Sequence, residues 1–353
     1  MKKILIYIFC FTMLFFIFPA LCTVTSEKTE EVISGENSNA NQQNEQKAPN
    51  DVVQANNDVS TQQYDYKKYK TIKLLHASTG EVEELNIDEY LYGVVASEMP
   101  ASFEIEALKA QAVVARTYTI YQIINNANKH ENVDICDNYA CCQAWISKDE
   151  RFAKWEASEA ESNWQKILDA VNSTSGKIIT YGGNPINAFF HSNSGGITES
   201  SLNIWGGIDY PYLKSVETAG ENGYTQYSSE VTLTKEELQN KMKEKYEDFS
   251  IDYSQENCIS ILEYTTSNRV KTIKIGNKEI AGTEARTIFA LKSTNFTFAI
   301  NGENIIFSVI GYGHGVGMSQ TGADALAKSG SNYEEIIKHF YVGVEIVETN
   351  SIS

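Results

Sequence analysis

Ala96-Ser97-Glu98-Met99-Pro100 divides two stretches of helical pattern, and the fold turns on how that division is read. Upstream, residues 87–97 open with Asp88 and Glu89, acids that suit the first turn of a helix. Pro100 cannot extend that helix and disfavours helical backbone at Met99. Downstream, Ser102 is placed to cap a long amphipathic helix. There Ile105, Leu108, Ala112, Ala115, Thr119 and Ile123 recur at helical spacing as far as about Asn126. Glu98 therefore falls at a helix terminus or in the turn beyond it.

Working outward, residues 72–75 and 82–85 around Ser78-Thr79-Gly80 predict a hairpin. Past a Cys-containing loop come a helix at 164–171 and strands at 177–181 and 186–191, joined by Gly182-Gly183-Asn184-Pro185. A charged helix at 235–246 precedes β stretches at 259–265, 270–275, 296–300 and 305–310, with a helix at 283–291 among them and a turn at Asn301-Gly302. Helices at 321–328 and 333–340 follow. The expected class is α+β, with mixed helices and antiparallel β segments and no internal repeat.

The N-terminus reads differently. After Met1-Lys2-Lys3 the chain is apolar from Ile4 to Val24, broken only by Thr12, Pro19 and Thr23, so residues 1–24 are expected to be a membrane anchor or signal segment. Its length favours a retained anchor with Lys2 and Lys3 inside, leaving the rest extracytoplasmic. Residues 25–63 are rich in Asn, Gln, Glu and Ser without aromatics, the composition of a disordered linker. Residues 64–353 form the folded region. A net charge of −17 excludes a nucleic-acid partner and disfavours strongly anionic polymers. A neutral or weakly charged polymer fits, and 20 Tyr and 4 Trp can supply faces for sugar rings.

Glu98 is the candidate catalytic acid. Val94, Val95, Met99 and Phe103 can wall it with apolar surface, and a carboxyl group in such a pocket keeps its proton near neutral pH, as glycosidic cleavage requires. Two Gly-rich segments are suited to expose backbone and small polar groups to a ligand: His191-Ser192-Asn193-Ser194-Gly195-Gly196, and Gly311-Tyr312-Gly313-His314-Gly315-Val316-Gly317-Met318-Ser319-Gln320. A serine nucleophile at 192 or 194 with His191 or His314 as base is the rival reading. It lacks a nucleophile elbow, and adjacent strand side chains point to opposite faces. The second segment also lacks the Lys-Ser/Thr ending of a phosphate loop. Arg116 and Tyr118, on the long helix, either face substrate or serve the helix itself, Arg116 as a solvated charge or the partner of a core acid. His130, Cys136, Cys141 and Cys142 lie within thirteen residues, which suits tetrahedral zinc; in an oxidising compartment a disulfide from Cys136 to Cys141 or Cys142 is equally open.

The Ser97-Glu98-Met99-Pro100 stretch, Gln111-Ala112, Ala115-Arg116-Thr117-Tyr118 and the two Gly-rich segments together resemble the stage II sporulation protein D (SpoIID) family, over nearly all of the chain beyond the linker. The resemblance implies a membrane-anchored peptidoglycan lytic transglycosylase on the mother-cell side of the engulfing septum. Its substrate would be glycan strands stripped of their stem peptides, bound in a cleft between two parts of the catalytic region. Glu98 matches the single catalytic glutamate, and Arg116, Tyr118, His191, Ser192, Ser194, Tyr312, His314 and Gln320 become substrate-binding candidates. Some relatives bind structural zinc at the corresponding loop through two His and two Cys; here Cys141 takes the place of the second His. A sporulation amidase and a membrane-localising protein are the implied partners. The alternative is a noncatalytic glycan-binding module that modifies a cell-wall amidase.

Overall fold

The computed structural model describes residues 69–125 and 129–348, all within one compact unit. The expected anchor and linker lie outside the described residues. Among those described, no helix is long and apolar enough to cross a membrane.

The described residues open with an antiparallel hairpin of β1 (Thr71–Leu75) and β2 (Val82–Asn86). Asn86 ends β2 and caps α1 (Ile87–Glu98), its side chain accepting from the Asp88 N–H. Met99 is extended, so the helix stops where Pro100 requires and Glu98 is its last residue. α2 (Ile105–Asn125) follows, then β3 (Ile135–Cys136) parallel to β1, α3 (Lys148–Phe152) and α4 (Ala157–Asn172). β4 (Lys177–Tyr181) turns into β5 (Asn184–Pro185) through Gly182 and Gly183, both at positive φ as a tight two-residue hairpin demands. β6 (Phe190–His191) and α5 (Ser201–Trp205) complete this part.

The chain then enters a second body with its own apolar core, inserted into the first. It comprises β7 (Ser228–Thr234), α6 (Lys235–Lys245), β8 (Ile259–Tyr264), β9 (Val270–Ile275), β10 (Lys278–Ala281), α7 (Gly282–Ile288), β11 (Phe296–Asn301) and β12 (Asn304–Ile310). Its strands form two antiparallel sheets, ordered β10-β9-β8 and β11-β12-β7. Beyond Gly311 the chain rejoins the first core with β13 (Met318–Ser319), α8 (Gln320–Lys328), α9 (Tyr333–Phe340) and β14 (Glu345–Glu348). β13 lies parallel to β6 and β14 antiparallel to β4, so the last elements close the sheets begun by the first half. The fold is α+β.

Three expectations need correction. α2 is not amphipathic: residues 110–120 are all buried, and it runs through the middle of the first core against α1, α4, α8, α9 and β4. Its alanines let those neighbours approach, while its hydroxyls are satisfied locally. Thr117 Oγ1 donates to Val113 O (2.7 Å) and accepts from the Ile179 N–H (2.9 Å). Ser102 does not start the helix either. The N–H groups of Ala107 and Leu108 donate to Glu104 O, and the Glu104 N–H donates to Asp324 Oδ1 on α8 (2.6 Å), so the start is fixed by tertiary contact. Finally, of the strand expected at 186–191 only Phe190–His191 forms, as β6; the pairing after the turn is made earlier, by Asn184–Pro185 as β5.

Candidate active site

Glu98, at the end of α1, lines a cavity of about 470 Å³ whose other walls come from distant parts of the chain. Phe190, His191 and Ser192 come from the end of β6, and Tyr312, Gly313, His314 and Gln320 from the second Gly-rich segment. Tyr139 and Ala140 belong to the Cys loop; Arg286, Thr287, Ala290, Leu291 and Lys292 contribute from the second body. Three separate stretches flagged in the sequence thus meet at one place.

The Glu98 carboxyl is half-buried and held at both oxygens. The Ala144 N–H donates to Oε1 (2.8 Å) and Gln320 Nε2 to Oε2 (3.4 Å). Burial pushes its pKa up to about 7, against the opposing pull of those two donors. Its position on the last residue of α1, at the negative end of the helix dipole, acts in the same direction as burial. Glu98 is the one carboxylate among the residues lining the cavity. It is a group able to hold a proton at neutral pH and give it up in place.

The Gly-rich segments interlock, and glycine is required where they touch. Gly317, at φ +70°, crosses so near Phe189 that a Cβ would lie 2.0 Å from its carbonyl oxygen; at Gly313, φ +112°, a Cβ would lie 2.8 Å from His191 Cβ. This crossing presents two imidazoles. His191 Nδ1 donates to Val316 O (3.1 Å), which leaves Nε2 as a buried acceptor with no hydrogen-bond partner among the described residues. Burial first, and then the charge of Arg269, lower its pKa to about 3, so it is neutral. His314 Nδ1 accepts from the Val316 N–H (3.1 Å), placing its proton on Nε2; burial holds its pKa well below the usual histidine range. No Ser–His hydrogen bond occurs among the described residues, which removes the arrangement a serine nucleophile needs. Ser192 nevertheless lines the same cavity as His191, because β6 ends at His191 and strand alternation lapses there.

Three expected site residues lie elsewhere. Arg116 is buried in the first core, donating Nη2 to Asp88 Oδ1 (2.9 Å) and Nη1 to Thr174 O (2.8 Å) and Lys177 O (3.2 Å). It ties α2 to the start of α1 and the end of α4. Arg116→Lys keeps the charge but loses the forked contacts; it is expected to lower stability by about 1–3 kcal/mol and leave KM unchanged, measured by denaturant unfolding beside turnover. Tyr118 is core, beside Phe189 at a ring separation of 6.2 Å. Ser194 turns away from the cavity onto Glu221, a carboxylate that sequence reading did not single out.

Glu221 is 1% exposed, yet two backbone N–H groups and four hydroxyls lie within hydrogen-bonding reach of it. They come from Ser194, Gly196 and Thr218 on one side and from Ser319 and Thr321 on the other. Burial alone would raise its pKa; the donors, Ser194 foremost, outweigh it and hold the group below the usual carboxylate range. Arg269, also buried, donates Nη2 to Ser194 O (2.8 Å) and sits beneath Gly315. Glu221 lies in Gly220-Glu221-Asn222-Gly223, and an acid flanked by glycines was the signal available for it.

Beside the cavity, the ligating atoms of His130, Cys136, Cys141 and Cys142 all lie within 4.8 Å of one another. His130 Nε2 is 3.3 Å from Cys142 Sγ and 3.6 Å from Cys141 Sγ, and the latter two sulfurs are 4.0 Å apart. All three cysteines are free thiols. The same segment supplies Tyr139 and Ala140 to the cavity wall and the Ala144 N–H to Glu98.

The sequence that builds this site is shared with known proteins. The SpoIID family model, described as Stage II sporulation protein, matches residues 75–181, the segment that contains Glu98, α2 and the Cys loop. Stage II sporulation protein D of Bacillus subtilis (strain 168) is 37% identical over 282 residues, 80% of each chain, and that of Bacillus amyloliquefaciens 36% over the same shares. The amidase enhancer of Bacillus subtilis is 29% identical over 72% of this chain and 40% of its own length. The protein is of a sporulation class. It belongs to the stage II sporulation protein D family.

Proposed function

We propose that this protein is a lytic transglycosylase that cleaves the bond from N-acetylmuramic acid to N-acetylglucosamine in peptide-stripped peptidoglycan, during engulfment. The observation that carries the reading is a solitary, half-buried carboxyl with a pKa of about 7, placed in a cavity with no second acid on its walls. Protonated Glu98 gives its proton to the glycosidic oxygen as the C1–O bond breaks. The carboxylate so formed takes the proton of the muramic 6-hydroxyl as O6 bonds to C1, closing a 1,6-anhydro ring and restoring the acid. No water is consumed. Hydrolysis ordinarily needs a second carboxylate to position water or form a glycosyl intermediate, and a lone acid suits the internal displacement. Buried His191 Nε2, Ser192 and Gln320 offer hydrogen bonds to sugar hydroxyl and N-acetyl groups, and exposed Tyr312 offers a stacking face at the rim. Mass spectrometry of products from denuded glycan tests this: anhydro-muramic ends are expected, and reducing ends would refute it.

Similarity to a protein named amidase enhancer favours one second reading, a glycan-binding module that modifies a cell-wall amidase. Activation of an amidase by a chain that itself leaves glycan uncut would select it. In either case the N-terminal segment would hold the protein at the membrane, facing the wall, beside an amidase and a membrane-localising partner.

His130, Cys136, Cys141 and Cys142 would hold one structural zinc ion. Tetrahedral zinc with sulfur at about 2.3 Å and nitrogen near 2.0 Å spaces its ligands about 3.5–3.8 Å apart, close to the separations here. Four protein ligands leave no open position, so the ion's chemistry is to brace the segment that carries Tyr139 and Ala144. Metal analysis under reducing conditions is expected to find one zinc per chain, lost in Cys136→Ser, with chelation lowering Tm in the parent and not in the variant.

A further inference from the structure

The second body brings two cations to the cavity of an otherwise acidic protein. Arg286, in α7, and Lys292, four residues beyond that helix, line the wall contributed by the insertion, while the first core contributes only one ionisable acid, Glu98. Both are held in place by backbone. Arg286 Nε donates to Leu291 O (3.2 Å), and Lys292 O accepts from the Gly313 N–H (2.8 Å), locking this segment to the Gly-rich loop. Lys292 is exposed, its ammonium 5.1 Å from the centre of the Tyr312 ring, and no ion-pair partner for it occurs among the described residues. The Glu98 pKa is set by its burial, Ala144 and Gln320.

A wall of this kind calls for an anion. A peptidoglycan strand is neutral in its hydroxyl and N-acetyl groups; its anionic group is the lactyl carboxylate of muramic acid. While a stem peptide is attached, that carboxyl is an amide without charge. Resting on the glycan-cleft reading above, we propose that Arg286 and Lys292 form a carboxylate-reading subsite that selects muramic residues with a free lactyl group over peptide-bearing ones. Selection for stripped strands then arises in the cleft itself, through a charge-assisted hydrogen bond that forms only once the amide has been removed.

The test measures binding by the full-length chain carrying Glu98→Gln, so that glycan stays intact. Two preparations of one soluble glycan oligomer are compared, with free lactyl carboxylates and with the same groups converted to N-methylamides. The carboxylate form is expected to bind about tenfold tighter or more at low salt, a difference of the size of one charge-assisted hydrogen bond. Lys292→Gln and Arg286→Gln should each shrink that preference, and added salt should weaken it. Equal affinity for the two oligomers, or an undiminished preference in both variants, would overturn the subsite. Failure to bind either oligomer would overturn the glycan cleft as well, whereas a clear preference in a protein that never cuts glycan would keep the subsite and remove only the transglycosylase reaction.

Discussion

Glu98→Gln is expected to lower glycan cleavage by about 10²–10⁴-fold, the range for loss of a general acid, while leaving the chain folded. The amide keeps an oxygen for the Ala144 N–H, and Gln320 can turn its own amide to meet the new NH₂ group. Stability provides a second readout, of opposite sign. Because the folded-state pKa of Glu98, about 7, lies above the ordinary glutamate value of 4.5, folding favours the protonated form. That contribution is fully present below about pH 4.5 and is lost as pH rises through 7. The difference corresponds to about 3 kcal/mol by pH 8 or above. Glu98→Gln should therefore be more stable than the parent at pH 8 and close to it at pH 5, by denaturant unfolding. Activity of the parent should fall above pH 7 as the acid form is lost. A stabilising substitution that abolishes turnover is the signature of a functional carboxyl held at a cost. Equal stabilities at both pH values, with full cleavage retained, would remove Glu98 from the mechanism.

How much of this was legible in the sequence differs from one group to the next. Glu98 and the Gly-rich segments stood out because their local chemistry is unusual: an acid immediately before Met-Pro, and glycines spaced too closely for a strand or helix. Local breakers also placed most helices and strands to within a few residues, as with the two-glycine turn between β4 and β5. The long helix was misread for a physical reason. Gln111, Arg116 and Thr117 look like an outer face, yet all three are buried, because packed elements surround the helix; for Arg116 they supply two carbonyls and the Asp88 carboxylate, which sequence spacing does not reveal. Arg116 consequently pairs with Asp88 in the core and does not reach the cavity. Arg286 and Lys292 belong to no motif, and only the folding back of an inserted body brings them beside residues about two hundred positions away.

Glu98 and Glu221 are displaced in opposite directions, and Glu221 supports the second large prediction. Its donors belong to both Gly-rich segments: Ser194 and Gly196 from the first, Ser319 and, one residue beyond Gln320 in α8, Thr321 from the second. Gln320, which reaches Glu98, lies between those last two. Replacing one carboxylate oxygen by NH₂ in Glu221→Gln would set donor against donor in a site closed to bulk solvent, and remove one of the two buried carboxylates, beside Glu199, whose charge acts on Arg269. Removing one partner from such a buried charged network is expected to cost about 3–5 kcal/mol. Because Glu221 is held below its usual pKa, its contribution is present above the unfolded value near 4.5 and is lost as pH falls through the lower folded value. The parent should accordingly lose stability in acid below about pH 4.5, and the variant should lack that part of the acid transition. Cleavage should fall steeply too, because Gln320 and His191 are positioned by the loops Glu221 joins. Calorimetry across pH together with turnover of denuded glycan checks both. If Glu221→Gln kept parental stability at neutral pH, the carboxylate would not be what holds the two segments together, and the convergence at Glu98 would need another cause.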